Sequence, residues 1–335
     1  MACFAMIMLS NSTTYLLPHA MAQPDSNDGS LNSTFVHLDN NIMSSFEVKG
    51  SYSDPAAGVE IQLPDGWTGM RLGPLGAIIS PYGKPFDPGN PDAMIINILE
   101  LATLKEGAKM TEGFMKSNNL TNPNTSVPKS TTKCSTEKSY VYLNDMIAMH
   151  AVTECKDPTD LSKYIVSDNY NVATEDKLIS VGLTTHSAQS YQQLVNKFEE
   201  SIKTLKVRNS VDHRTIWNES LGFKTRVQSI EAKGGKIDAK LQSNSKISNL
   251  VFDEAAKKLS FKVRGEDGTL GFTSIPVGKF LQGPYSVAID GNTIEDFQVV
   301  DDRIAGESIL EIRYRHSIHD IAITGTNVVP NFLSI

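Results

Sequence analysis

Residues 131–155, TTKCSTEKSYVYLNDMIAMHAVTEC, read as one β-hairpin. Thr131 to Tyr142 and Met146 to Cys155 have strand character, and Asn144-Asp145 between them tolerate the positive φ of a type I′ turn. With these two residues as the loop, Leu143 faces Met146 and Tyr142 faces Ile147, and outward counting brings Cys134 opposite Cys155. The closing pair of a two-residue hairpin is hydrogen-bonded and pair types alternate outward, so the cysteines fall at a non-hydrogen-bonded position. There the Cα atoms lie about 4.5 Å apart, a separation that a disulfide can bridge. Two reduced, buried cysteines or a pair of metal ligands would leave the matched register unexplained. A slip of one residue would break the match.

A structural disulfide belongs to an oxidising compartment, and the N-terminus points the same way. Residues 1–22 hold two apolar runs, Ala2–Leu9 and Tyr15–Leu17, and end in Ala20-Met21-Ala22, an A-x-A cleavage pattern. This reads as a secretory signal peptide, although a basic n-region is missing and Asn11-Ser12-Thr13-Thr14 interrupts the apolar part. An apolar N-terminal helix of the mature protein is the alternative. Cleavage removes Cys3 and leaves an even cysteine count. Residues 23–45, rich in Asn, Ser and Asp, are expected to be a disordered linker. Sequons at Asn32, Asn119, Asn124 and Asn218 fit a surface location. The formal net charge of −7, with no basic patch interleaved with aromatics, argues against a nucleic-acid partner. No run reaches the roughly 18 apolar residues of a membrane span. The expected setting is extracellular or at the cell surface, with a cell-envelope protein or glycan as partner.

Outward from the hairpin, the chain divides in two. Val59-Glu60-Ile61-Gln62-Leu63 alternates as a half-buried strand, Pro64-Asp65-Gly66 turns, and Trp67 opens the next strand. Ala77-Ile78-Ile79, Met94 to Leu101, Lys163 to Asn171 and Lys177 to Thr184 follow as strands, with a short helix over Met110 to Lys116. Ser187 is a plausible N-cap for a helix whose stripe is Tyr191, Leu194, Val195, Phe198, Ile202 and Leu205. The first domain is therefore expected to be α+β, an antiparallel sheet with packed helices. After His213 to Asn218 the pattern becomes short strands and turns: Lys246 to Phe252, Leu259 to Arg264, Thr269 to Ile275, Tyr285 to Ile289, Ile309 to Tyr314 and Ile318 to Thr324. That spacing predicts an all-β immunoglobulin-like sandwich, without its Cys–Trp–Cys core.

Two resemblances sharpen this division. Gly58-Val59-Glu60-Ile61-Gln62-Leu63-Pro64-Asp65-Gly66-Trp67, with the closing helix Phe198 to Lys206, resembles PsbP-like domains over residues 46–207. Members of that fold serve as assembly factors and binding modules, so the resemblance implies a fold and no chemistry. A linker, 208–219, leads to residues 220–330. There Gly271-Phe272-Thr273-Ser274-Ile275-Pro276, Leu281 to Gly291 and Tyr314 to Ile321 resemble a module of archaeal secreted proteins that carry a PEFG-type sorting signal. The family continues with Pro-Glu-Phe-Gly and a membrane-spanning tail; here Pro330-Asn331-Phe332 stands at that place, so the sorting signal is expected to be degraded or absent.

Few residues suggest chemistry. His316 and His319 form an H-x-x-H that could take copper or zinc, with His213 or a carboxylate as a further ligand. The pair straddles an expected turn, where i, i+3 spacing need not align two rings. Asp253, Glu254, Asp267 and Asp290 sit in or beside turns, where they serve either calcium or solvent. Trp67, Met70, Leu72 and Leu75 either line an apolar pocket or form ordinary core. There is no G-x-S-x-G elbow, no H-E-x-x-H and no phosphate-cradling loop. No catalytic residue and no cofactor is expected. The leading expectation is a non-enzymatic interaction protein, its first domain the binding surface and its second an envelope-docking or spacer module. The alternatives are a small-ligand or metal-binding protein and an extracellular hydrolase of unrecognised type.

Overall fold

The computed structural model describes residues 47–83, 92–101, 133–157, 160–214, 224–232, 235–267, 269–295 and 297–329. The expected signal peptide, the 23–45 linker, the Met110 to Lys116 helix, all four sequons and Pro330 to Ile335 lie outside these residues.

The first unit is built on period-two alternation. Its strands are β1 (Glu47–Lys49), β2 (Ser51–Asp54), β3 (Val59–Gln62), β4 (Thr68–Arg71), β5 (Gly76–Ser80), β6 (Ala93–Glu100), β7 (Lys133–Leu143), β8 (Met146–Asp157), β9 (Asp160–Thr174) and β10 (Lys177–Thr185). Helix α1 (Ala188–Ile202) follows, then the short strands β11 (Lys206–Val207) and β12 (Ser210–Val211). In β3, Val59 and Ile61 are buried while Glu60 and Gln62 are exposed, as a sheet wetted on one face requires. The sheet runs β7-β8-β9-β10-β6-β5-β4-β1-β2-β3-β11, each neighbouring pair antiparallel. It curls round a core in which Trp67, Tyr52, Ile61, Ile96 and Phe198 are almost wholly buried. Trp67 is thus core. Gly76 permits one close approach: at φ 120° a Cβ there would stand 1.8 Å from the Ile96 carbonyl oxygen.

Helix α1 starts as its sequence dictates. The Ser187 hydroxyl accepts from the Ser190 amide at 3.0 Å, and Leu194, Phe198 and Ile202 turn inward against the sheet. The expectation of an α+β PsbP-like domain with packed helices is nonetheless corrected. Among the described residues α1 is the one α-helix, and strands make up most of the rest. One amphipathic stripe supports one helix; elsewhere among the described residues strand-forming segments predominate.

The second unit comprises β13 (Lys224–Ala232), β14 (Gly235–Ser243), β15 (Lys246–Asp253), β16 (Lys258–Arg264), β17 (Leu270–Ile275), β18 (Leu281–Gln282), β19 (Ser286–Ile289), β20 (Asn292–Ile294), β21 (Phe297–Asp302), β22 (Glu307–Arg315), β23 (Ile318–Thr324) and β24 (Asn327–Val328). One sheet runs β13-β14-β17-β22-β21 and another β15-β16-β23-β19-β20. Both contribute to a single core around Phe261, Ile275, Phe280, Leu310, Ile312 and Ile323. Two sheets over one core match the all-β expectation. A self-contained immunoglobulin-like sandwich does not, because one sheet does not end inside the unit. Strand β21 pairs in parallel with β7 through Val300↔Lys138, Asp301↔Ser139 and Asp302↔Tyr140. The result is a sheet of 17 strands that spans both units.

The hairpin register is the one counted from sequence. Leu143 pairs with Met146, Tyr142 with Ile147 and Cys134 with Cys155. The disulfide is formed across a Cα–Cα distance of 4.0 Å, the narrow spacing of a non-hydrogen-bonded pair. The turn differs from expectation. Asn144 has φ 53° but Asp145 is not left-handed, whereas type I′ needs both. Asp290 and Gly291, at φ 50° and 81°, do supply such a pair between β19 and β20.

Asn144 is held from elsewhere. Its Nδ2 donates to the carbonyls of Lys203 at 3.1 Å and Leu205 at 3.0 Å, just past the end of α1. Carbonyls there lack intrahelical donors. Asn144→Gly keeps the left-handed backbone and loses both bonds, so urea unfolding should show a loss of about 1–2 kcal/mol. Asn144→Ala should cost about 1 kcal/mol more, from forcing a Cβ into that conformation.

Candidate functional site: the seam between the two units

The three-residue parallel pairing is flanked by buried and charged groups that neither unit holds alone. On one face Tyr140 and Met149 of the first unit pack against Val300, Ile304 and Ile309 of the second. The Tyr140 hydroxyl is raised above its ordinary pKa, first by burial and then by the carboxylates of Glu311, Asp302 and Asp212. Lys138 reaches Glu311 across the seam at 3.6 Å, both side chains nearly buried. The Arg303 amide donates to the Tyr140 carbonyl at 3.2 Å.

Residues 210–214, within the stretch expected as a linker, are packed into this junction. Ser210 and Val211 pair with Thr174 and Ala173 of β9. Arg214 grips Asp212, with Nε–Oδ1 at 2.9 Å and Nη2–Oδ2 at 2.7 Å, and its Nη1 lies 3.1 Å from Asp302 of β21. Burial pushes the Asp212 carboxyl upward, but the hydrogen bonds from Arg214 outweigh it and the net shift is down. Asp302, only 3% exposed in its side chain, also accepts from the amides of Ile304 at 3.1 Å and Ala305 at 3.0 Å. A buried carboxylate with one guanidinium and two amide donors is well satisfied.

His213 is fully buried at the same place, its ring 6.2 Å from that of Tyr140. Burial pushes its pKa down to about 4; Asp212 opposes that shift and Lys138 adds to it. The folded form therefore binds fewer protons than the unfolded chain between the unfolded value, about 6.5, and about 4. Stability is full above the unfolded value and is lost as pH falls through that window. Urea titrations should show a loss of about 2 kcal/mol between pH 7 and pH 5 from this group. His213→Phe should flatten the curve over that interval. An equal slope in both proteins would refute the assignment.

The opposite side of the seam opens into a groove of about 480 Å³. Glu137, His150 and Val152 stand on its β7–β8 wall, and Phe297, Val299 and Arg303 on its β21 wall. His150 is fixed from behind: its Nε2 lies 2.8 Å from Asp168 Oδ1, and its ring stacks on Tyr170 at 4.2 Å. Asp168, almost fully buried, also accepts from the Tyr191 hydroxyl of α1 at 2.7 Å. A carboxylate, an imidazole and a helix-borne phenol thus clamp the groove wall to the core. Arg303 is paired with Asp301 at 3.4 Å in solvent, so both cations of the groove rim already have carboxylate partners.

His316 and His319 are placed elsewhere, at the far end of the second unit. His316 is buried, its Nε2 2.7 Å from the Ser245 hydroxyl and its Nδ1 bonded to Thr269. His319 Nδ1 lies 2.6 Å from Asp290 Oδ2 and its Nε2 lies 2.7 Å from the Arg315 carbonyl oxygen. Each ring nitrogen therefore already has a protein group within hydrogen-bond distance. His213 lies at the seam and does not join the pair. Asp253 caps its own turn through the Ala256 amide at 2.9 Å, apart from Asp290. Among the described residues no three His, Cys, Asp or Glu side chains converge as metal ligands would. No described helix is long and apolar enough to cross a membrane.

Sequence reasoning did not find the seam. β21 lies in a stretch with no expected strand, and the parallel pair joins residues far apart in the chain. The local signal was Val299-Val300, two β-branched residues in a short apolar run.

No protein-family profile matches the chain, and no curated protein is similar to it in sequence. Among solved structures the chain is similar to cyanobacterial PsbP (CyanoP) from Synechocystis sp. PCC 6803, at 15% identity and a TM-score of 0.29, over 53% of this chain and 98% of that one.

Proposed function

We propose that the protein is a non-enzymatic binding protein acting outside the cytoplasm, at the cell surface or in the envelope, and that the seam groove is its binding surface. The observation that carries this reading is the groove itself, where Val152, Phe297 and Val299 stand among polar groups beside strand edges at a junction braced from both sides. Concave sites that combine apolar side chains with fixed polar groups are where ligands and partners bind. The Cys134–Cys155 disulfide supports an oxidising location. On this reading the second unit does more than space or dock the first: β21 supplies one wall of the site. The partner is an envelope protein or glycan.

A photo-activatable amino acid at Val299, 40% exposed in the groove, tests this on intact cells. Val227, 64% exposed on β13 at the far edge, is the control. Envelope material cross-linked from position 299 and not from 227 is the expected result. Equal yields from both positions, or none from 299, would count against the groove.

A further inference from the structure

We infer that the groove takes an extended polypeptide segment of a partner protein, added as a β-strand in the fork between β7 and β21. This rests on the reading of the seam groove as the binding surface and names the occupant.

The fork follows from register. β7 and β21 run parallel and pair only from Lys138↔Val300 to Tyr140↔Asp302. Upstream, Cys134–Glu137 pairs with β8 alone and Phe297–Val299 with β22 alone, among the described residues. On β7 exposure changes at the same point: Ser139 and Tyr140 are buried, whereas Cys134, Ser135 and Glu137 are exposed. On β21 burial alternates, with Val299 and Asp301 exposed and Val300 and Asp302 buried. Among the described residues both arms thus carry a strand edge without a strand neighbour, and the groove lies between them.

An unpaired edge presents alternating N–H and C=O groups at the spacing of a sheet, and another extended backbone matches that row. A glycan offers hydroxyls without that period. Gln298 adds a second demand: its Oε1 is buried in the fork and accepts no hydrogen bond from the described residues. The arm on β7 is also stiffened in advance. The disulfide ties Cys134 to β8 at the outer end of the unpaired stretch, so little order remains to be lost on binding.

The free stretches set the length. Three residues on β21 and four on β7 span roughly 10–13 Å at about 3.3 Å per residue, room for three or four residues of partner. Alternate side chains of the partner would meet Val152 and Val299. Lys138 and Arg303 are already engaged by Glu311 and Asp301, so neither cation is left over for the partner and recognition is mainly main-chain.

The test pans a randomised octapeptide phage library on the disulfide-bonded full chain. The tightest binder is resynthesised in two forms, plain and N-methylated at alternate residues. The plain peptide should slow amide exchange at Ser135–Glu137 and Phe297–Val299. N-methylation in the register that faces the fork should weaken binding at least tenfold. Val299→Trp should do the same, and Val227→Trp should not. Exchange protection elsewhere, indifference to N-methylation in both registers, or recovery of no binding peptide overturns the proposal. Cross-linking of a glycan or small ligand at position 299, with no peptide binder, would leave the binding-surface reading standing and remove the strand. Failure of both experiments would remove both.

Discussion

Replacing both Cys134 and Cys155 by serine should lower stability by about 3 kcal/mol in urea unfolding. The cysteines are 21 residues apart, and closing a loop of that size in the unfolded chain accounts for a loss of about 3 kcal/mol. Part of the effect should be local. Cys134 lies on the arm of β7 that has left β21, so β8 is its one strand neighbour among the described residues. Without the bond, amide exchange at Ser135–Glu137 should accelerate more than exchange at the buried Val172 of β9. A loss below about 1 kcal/mol, or uniform acceleration, would show that the bond does not brace the fork.

Arg214→Ala should cost about 3 kcal/mol. The change leaves Asp302, on β21, with its amide donors but without its counter-charge. Breaking a buried pair by removing one partner costs about 3–5 kcal/mol. Arg214 is 28% exposed, which lets water replace part of what is lost and puts the effect at the lower end. Arg214→Lys should fall between, since one ammonium cannot reproduce the fork that holds Asp212 while reaching Asp302. Arg303→Ala is the contrast. Its pair with Asp301 is exposed on both sides and should be worth less than about 1 kcal/mol. If Arg214→Ala and Arg303→Ala unfold alike, the seam is not held by this network.

What was legible in the sequence was local. The hairpin register needed only a loop position and a count, and it placed Cys134 opposite Cys155. The Ser187 cap and its apolar stripe located α1. Alternation located β3, and short strand-like runs located β5, β6, β10 and six of the twelve strands described in the second unit. What was not legible depends on distant partners. Asn144 was read as one half of a type I′ turn, but its side chain caps carbonyls beyond α1, and one left-handed residue suffices. Residues 208–219 were expected as a linker because the pattern changes beyond them; burial of His213 against Tyr140 gives no local signal. Asp302 belongs to β21, a strand not expected from the local sequence. His316 and His319 had metal-ligand spacing, yet each satisfies a separate hydrogen-bonding need near its hairpin turn.

The account depends most on the three-residue pairing of β7 with β21, because without it there is no fork and no groove. Amide exchange of Val300 to Arg303 in the full oxidised chain measures this pairing, including at Arg303, whose N–H is shared between the Tyr140 carbonyl at 3.2 Å across the seam and the Asp301 carbonyl at 3.1 Å. The account predicts protection of the Arg303 amide comparable to that of buried strands such as β9, and its loss in Arg214→Ala. Exchange as fast as that of the exposed Gly291 turn would contradict it.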